Sequence, residues 1–223
     1  MPENDVKEIV KAFWASRAEE FDREPDHVLH SPGQHQAWLA LLGRFADRVP
    51  SQILDVGCGT GFLAFLYAEL KHEVTGIDLS PEMIEVARAK AEQRGVAAEF
   101  AVGDAERIEY PDASFDLLIA RHLLWTLPDP GRAIAEWLRV LRPHGRLVLI
   151  EGHWGVGELS GEYAHIHTHL PFFGGAMGEK VAAFLQTQGV QEVQTEPLMT
   201  PELWHEPPKY PRYLVSGRKP AKS

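Results

Sequence analysis

A carboxylate and three glycines crowd the segment Leu54-Asp55-Val56-Gly57-Cys58-Gly59-Thr60-Gly61-Phe62. Glycine lets the chain take φ > 0 and lets a ligand lie against bare backbone. A turn built for a dinucleotide diphosphate reads G-x-G-x-x-G. Here the spacing is G-x-G-x-G, and Phe62 stands where that fingerprint wants its last glycine. Asp55 would repel a phosphate and attract an ammonium group. Together these residues favour a nucleoside carrying an amino-acid tail over one carrying phosphates. Asp78 and Asp104 each close a later apolar run, and Arg121 and His122 follow another. Acids in those places can accept hydrogen bonds from ribose hydroxyls or a base amine.

The surrounding pattern is that of an α/β chain. Ile53, Leu54 and Val56 read as a buried strand entering the glycine turn, and Leu63, Leu66, Tyr67 and Leu70 as the helix leaving it. His72 to Asp78 is a second strand. Ser80 and Pro81 then start a helix through Met83, Ile84, Ala87 and Ala91 that Gly95 ends. Further strands are expected over 97–102, 114–120 and 146–151, with a helix from Asp129 and Pro130 to Leu141 and a turn at Pro143-His144-Gly145. A last helix is expected over 180–188 and two last strands over 190–195 and 212–217. Ahead of the first strand, Val6 to Phe21 and Pro32 to Arg48 read as two helices. They either close over the ligand or simply pack on the sheet.

Leu54-Asp55-Val56-Gly57-Cys58-Gly59-Thr60-Gly61 resembles motif I of the class I S-adenosylmethionine-dependent methyltransferases, and the wider pattern resembles their type 11, small-molecule branch. The resemblance covers Ser51 to Gly152 well and the rest weakly. It implies an α/β, three-layer αβα Rossmann-like fold: a seven-stranded, mostly parallel sheet of order 3-2-1-4-5-7-6 with the last strand antiparallel. It implies one domain over 1–223, with cap helices (1–49), a cofactor core (50–151), a substrate lid (152–176) and a closing helix with two strands (177–223). S-Adenosyl-L-methionine would be the cofactor, leaving as S-adenosyl-L-homocysteine. Gly57, Cys58, Gly59 and Gly61 would run beneath its methionine end, with Asp55 on the ammonium group directly or through water. Asp78, followed by Leu79 and Met83, would take the ribose. Asp104, Ala105 and Glu106 would serve the adenine. Arg121 would meet the tail, more by its backbone carbonyl than its side chain.

Methyl transfer from a sulfonium needs alignment and exclusion of water, and a base only where the accepting atom holds a proton. His122 is the first candidate base, followed by His167 and His169; the alternative is that they are structural. On a strand, His165, His167 and His169 would share one face and could hold zinc or copper, but the expected chemistry needs no metal. Trp14, Phe21, Trp125, Tyr163, Phe172 and Phe173 are candidates for an apolar acceptor wall, with core packing as the competing role for Phe172 and Phe173. His144 replaces the more usual glycine at the helix-to-strand junction, a change expected to be harmless.

Composition narrows the partners. The 223 residues carry a formal charge of −10 without a Lys/Arg cluster, which disfavours a nucleic acid. The lone Cys58 excludes an internal disulfide framework and fits a reducing compartment. No apolar run approaches a membrane span and no signal-peptide core is visible, so a soluble, cytoplasmic protein is expected. Neither Asn/Asp-Pro-Pro-Tyr/Phe nor Pro-Cys occurs, so nucleobase methylation is not indicated. A small molecule accepting through O, N, S or activated carbon is the expected substrate. The competing functions are a binder of the cofactor without transfer, and an NAD-dependent oxidoreductase, which Phe62 opposes. The oligomeric state is not legible.

Overall fold

A computed structural model describes residues 1–155 and 163–221. The strands are β1 (Gln52–Val56), β2 (Glu73–Asp78), β3 (Glu99–Val102), β4 (Phe115–Arg121), β5 (Leu141–Gly152), β6 (Gln191–Pro197) and β7 (Arg212–Arg218). Among the described residues they form one seven-stranded sheet in the order β3-β2-β1-β4-β5-β7-β6. Pairings are parallel from β3 through β5, while β7 runs antiparallel to both β5 and β6. The topology is therefore the expected one, closed by a reversed strand. The central strands are apolar nearly throughout because both faces are covered: Ile53, Leu54, Val56, Leu117, Leu118, Ile119 and Leu147 to Ile150 are buried.

The helices are α1 (Glu3–Ala15), α2 (Pro32–Gly43), α3 (Phe62–Glu69), α4 (Pro81–Arg94), α5 (Pro130–Val140), α6 (Tyr163–Ile166) and α7 (Gly178–Thr187). Start signals acted where they were read: the Ser80 hydroxyl accepts the Met83 amide, Asp129 accepts that of Arg132, and Gly95 ends α4 at φ +61°. One core lies on the α2–α3–α4 side of the sheet, around Trp38, Leu42, Tyr67 and Ile84. The other lies on the α5–α7 side, around Trp137, Leu141 and Leu185.

Three local readings need correction. The first helix stops at Ala15, not Phe21: the Ser16 hydroxyl turns back to the Phe13 carbonyl at 2.8 Å, and 21–23 and 25–27 are separate 3₁₀ turns. Likewise α2 stops at Gly43 rather than Arg48. The Pro143-His144-Gly145 turn lies inside a continuous β5, as a break in register opposite Phe115 to Leu117. His144 takes φ +61° there, which explains why glycine is usual. Its amide donates to the Lys219 carbonyl, and its carbonyl accepts Arg218 Nη1 at 2.8 Å, so the left-handed residue is held from β7.

The expected lid divides. Residues 156–162 lie outside the described residues; the rest fold as α6, a 3₁₀ turn over His167–His169 and the Phe172–Gly175 turn. Tyr163, Ile166 and Leu170 bury against Val6 and Val10, so α1 and this segment form a roof with its own small core. No described helix is long and apolar enough to cross a membrane.

Candidate active site

β1, β2 and β4 deliver their last residues to one end of the sheet. The strand order reverses between β1 and β4, and a cleft opens where the connections diverge. A cavity of about 540 Å³ fills it. Its floor contains Asp55, Gly57, Cys58, Gly59, Asp78, Leu79, Met83 and Gly103 to Glu106, and Arg121, His122, Leu123 and Trp125 form its far side.

Four amides of the glycine segment are already used. Gly57, Gly59 and Gly61 all have positive φ. Cys58 donates to the Ile77 carbonyl, Gly59 to Asp78 Oδ2 at 2.9 Å, Gly61 to the Cys58 carbonyl, and Ala64 to Asp55 Oδ2 at 3.1 Å. These four N–H groups hold the turn to itself, to β2 and to the two carboxylates. Both carboxylates face the ligand space. Burial, with Asp78 nearby, pushes the Asp55 carboxyl up to about 7, and burial raises that of Asp78. A bound cation would relieve both. Cys58 is buried and its thiol is raised far from reactivity, so it serves as packing.

Asp78 also accepts the Ser80 amide on Oδ1. Each carboxylate oxygen therefore holds one backbone donor and keeps acceptor capacity for a ribose hydroxyl. Asp104 accepts the Glu106 amide and pairs with Lys7 Nζ at 2.8 Å; Glu106, buried, pairs with the same ammonium at 2.6 Å and accepts the Asp129 amide. The Ala105 carbonyl accepts Trp137 Nε1, which ties this corner to α5.

The cap closes over the turn. Asp22 accepts the Thr60 hydroxyl and Lys90 Nζ, each at 2.5 Å, and so clasps the cap to the glycine turn and α4. Next to it, Phe21 lies 3.5 Å from where a Gly59 Cβ would stand and stacks on His27 at 3.8 Å. Trp14, Phe21, Trp125 and Phe173 line the cavity as expected of an apolar wall, with Trp154 added.

Other expected residues sit elsewhere. Phe172 is buried in the core against Phe184 and does not line the cavity. Tyr163 stands behind the wall, touching Phe13, Trp125 and Phe173 rather than the open space. His167 and His169 do not line the cavity. The 163–169 segment is helical rather than extended, so its histidines do not share a strand face, and no three His, Cys, Asp or Glu side chains converge as a metal would require among the described residues.

His122 does line the cavity, with φ +56° and its ring edge-on to Trp154 at 5.1 Å. Burial and the charges of Arg121 and Arg212 hold its imidazole well below the usual histidine range, so it is neutral and resists gaining a proton. The side chain of Arg121, not expected to matter, is buried with its guanidinium 4.5 Å over Phe62 and Nη2 donating to the Asp26 carbonyl at 2.5 Å. Lys7, Asp26, His27, Trp154 and Arg212 are cavity residues that sequence reading passed over. Glu151 was read only as strand; its buried carboxylate accepts the Leu123 and Leu124 amides and fixes the loop that carries His122.

Comparison with known proteins agrees with this geometry. Residues 54–149 match the family described as "Methyltransferase domain". The chain is 35% identical over 187 residues to the ubiquinone/menaquinone biosynthesis C-methyltransferase UbiE of Bordetella parapertussis, covering 82% of this chain and 70% of the relative. It is 37% identical over 153 residues to the demethylmenaquinone methyltransferase of Deinococcus radiodurans, a match covering 66% of this chain and 61% of that protein. The match to the Thermus thermophilus demethylmenaquinone methyltransferase likewise covers 64% of its length, so the chain spans about three fifths of both. Among solved structures, the [4+2]-cyclase SpnF superposes with a TM-score of 0.74 at 22% identity, covering 95% of this chain and 96% of that one. A SAM-dependent methyltransferase from Aquifex aeolicus gives 0.67 at 19% identity, covering 92% and 98%. These two show a shared fold. With the sheet order, the two buried carboxylates at the glycine turn and the Bordetella relative taken together, the chain belongs to the class I S-adenosylmethionine-dependent methyltransferases.

Proposed function

We propose that the cleft binds S-adenosylmethionine and presents its methyl to a small, flat, ring-bearing acceptor. One observation carries this reading: two buried carboxylates at a glycine turn open, within one cavity, onto a wall of aromatic side chains. When bound, S-adenosylmethionine supplies a methyl group on a sulfonium, which needs no metal to leave. The chain's residues do the rest. Asp55 meets the ammonium group as a carboxylate, Asp78 accepts from the ribose hydroxyls, and Asp104 and Ala105 border the adenine. Phe21, held over Gly59 by the Asp22 clasp, shields the cofactor from water.

Trp14, Trp125, Trp154 and Phe173 offer ring faces to the acceptor. The Bordetella and Deinococcus relatives are named for methylation in quinone biosynthesis, and a flat bicyclic ring suits such a wall. The test is calorimetry with S-adenosylhomocysteine and with NADH, followed by mass spectrometry of bicyclic phenols and quinols incubated with methyl-labelled cofactor. Binding of S-adenosylhomocysteine and a labelled product are expected. Binding of NADH alone would overturn the reading.

A further inference from the structure

Two arginines meet at the acceptor end of the cavity. Arg121 ends β4, and Arg212 begins β7 opposite Gly152 of β5. Because β7 is reversed, its first residue arrives beside the last residues of the parallel strands. Both guanidiniums approach the ring of Trp204, at 5.9 and 5.4 Å, and Arg212 also lies 5.1 Å over Trp154. Both lean on one residue: Arg121 Nη2 on the Asp26 carbonyl and Arg212 Nη2 on Asp26 Oδ2 at 2.9 Å. Gly152 leaves room for the pair, since a Cβ there would stand 2.8 Å from Arg212 Nη1.

The pair is under-neutralised. Arg121 Nε, Arg212 Nε and Nη1, and His122 Nε2 are all buried with no hydrogen-bond partner among the described residues. The facing acids are Asp26, which is partly exposed, and Asp55 and Glu151, whose carboxyls burial pushes up to about 7. The facing histidines, His27 and His122, are both held neutral. Burying two guanidiniums against one full counter-charge is costly. In a chain of net charge −10 such a concentration of positive charge asks for an anion.

We propose that Arg121 and Arg212 form the acceptor-recognition subsite, and that the methyl acceptor is a flat ring compound bearing an anionic oxygen. That oxygen belongs to a carboxylate or to the conjugate base of an acidic phenol or enol, and it docks against the two guanidiniums beside Trp154. This deepens the reading of the cleft given above and rests on it. The cofactor's carboxylate is the competing anion. Arg121, at the end of β4, is next to β1 and the glycine turn, whereas Arg212 begins β7, two strands farther from Asp55 and Asp78, so Arg212 is the guanidinium that tells the two anions apart. An acceptor that binds already deprotonated needs no protonatable side chain beside it. That suits a neutral His122 in a cationic setting.

The experiment is calorimetry at pH 8 on protein saturated with S-adenosylhomocysteine. One arm compares 2-naphthoate with neutral 2-naphthamide; the other compares 2-hydroxy-1,4-naphthoquinone, an acidic enol, with its neutral 2-methoxy ether. At least one anion is expected to bind about tenfold or more tightly than its neutral counterpart, and the arm that does so identifies the oxygen. Arg212→Gln should lower that anion's affinity by about tenfold, leave the neutral compound's within about twofold, and be partly rescued by Arg212→Lys. Equal affinity for anion and neutral compound in the unaltered protein overturns the proposal, with no variant required. So does an Arg212→Gln protein that loses S-adenosylhomocysteine but not the anion, which would assign the pair to the cofactor's carboxylate. Failure to bind S-adenosylhomocysteine at all removes the proposed function and this inference with it. Retained cofactor binding without anion preference removes the inference alone.

Discussion

Asp78 Oδ2 accepts the Gly59 amide at 2.9 Å, so the acid that ends β2 is bolted to the glycine turn that follows β1. One carboxylate both shapes the turn and faces the ligand. Replacing it with alanine removes charge-assisted bonds worth about 1.5–3 kcal/mol each. Asp78→Ala is expected to weaken S-adenosylhomocysteine binding by about 10- to 100-fold, and Asp78→Asn by less. Calorimetry checks this, and undiminished affinity in a folded Asp78→Ala protein would refute it.

Gly59 has φ +52° and faces Phe21. Gly59→Val would be strained by its backbone conformation and would occupy the space between the turn and the cap. Binding of the cofactor is expected to fall below detection while circular dichroism stays native. A Gly59→Val protein with intact binding would show that the ligand does not pass there.

Asp55 titrates near neutrality because it is buried beside Asp78. Its folded pKa lies above the unfolded value, so its neutral form is the one the fold prefers. Its contribution to stability is present below about pH 4 and is lost as pH rises through about 7. Binding the ammonium group needs the ionised form. Cofactor affinity should therefore weaken as pH falls below about 7, and Asp55→Asn should bind weakly at every pH with that dependence gone. Affinity measured from pH 6 to 8.5 decides it.

Lys7 bridges Asp104 and Glu106 at 2.8 and 2.6 Å and joins α1 to the site. Lys7→Met leaves the buried Glu106 carboxylate without its counter-charge. A loss of about 3 kcal/mol is expected by denaturant unfolding, together with faster hydrogen exchange throughout α1. Unaltered exchange in α1 would show that the roof is held by its apolar contacts alone.

His122 is neutral and boxed in by guanidiniums. Once an acceptor is found, His122→Asn, which tolerates the φ of +56°, is expected to change kcat by less than about tenfold. The pH profile of kcat should be the same in the variant as in the unaltered protein. A fall of 100-fold or more with a changed profile would make His122 the base.

The half of the cavity formed at β1 and β2 was legible because its signals are local. A strand, a glycine turn and a capped helix are written in consecutive residues, and Ser80-Pro81 left Asp78 to face the cleft. The aromatic wall was partly legible: Trp14, Phe21, Trp125 and Phe173 reach the cavity, while Phe172, adjacent to Phe173, points into the core because neighbours on a tight turn face apart. Arg212 and Asp26 were not legible at all. They are 186 positions apart and meet only because β7 is inserted between β5 and β6, which composition and periodicity cannot express.

The reversed direction of β7 gives the fold a second address for tuning. Substitutions near the start of this strand can reset which charge a guest compound must carry, while the nucleoside berth, encoded far upstream, stays as it is.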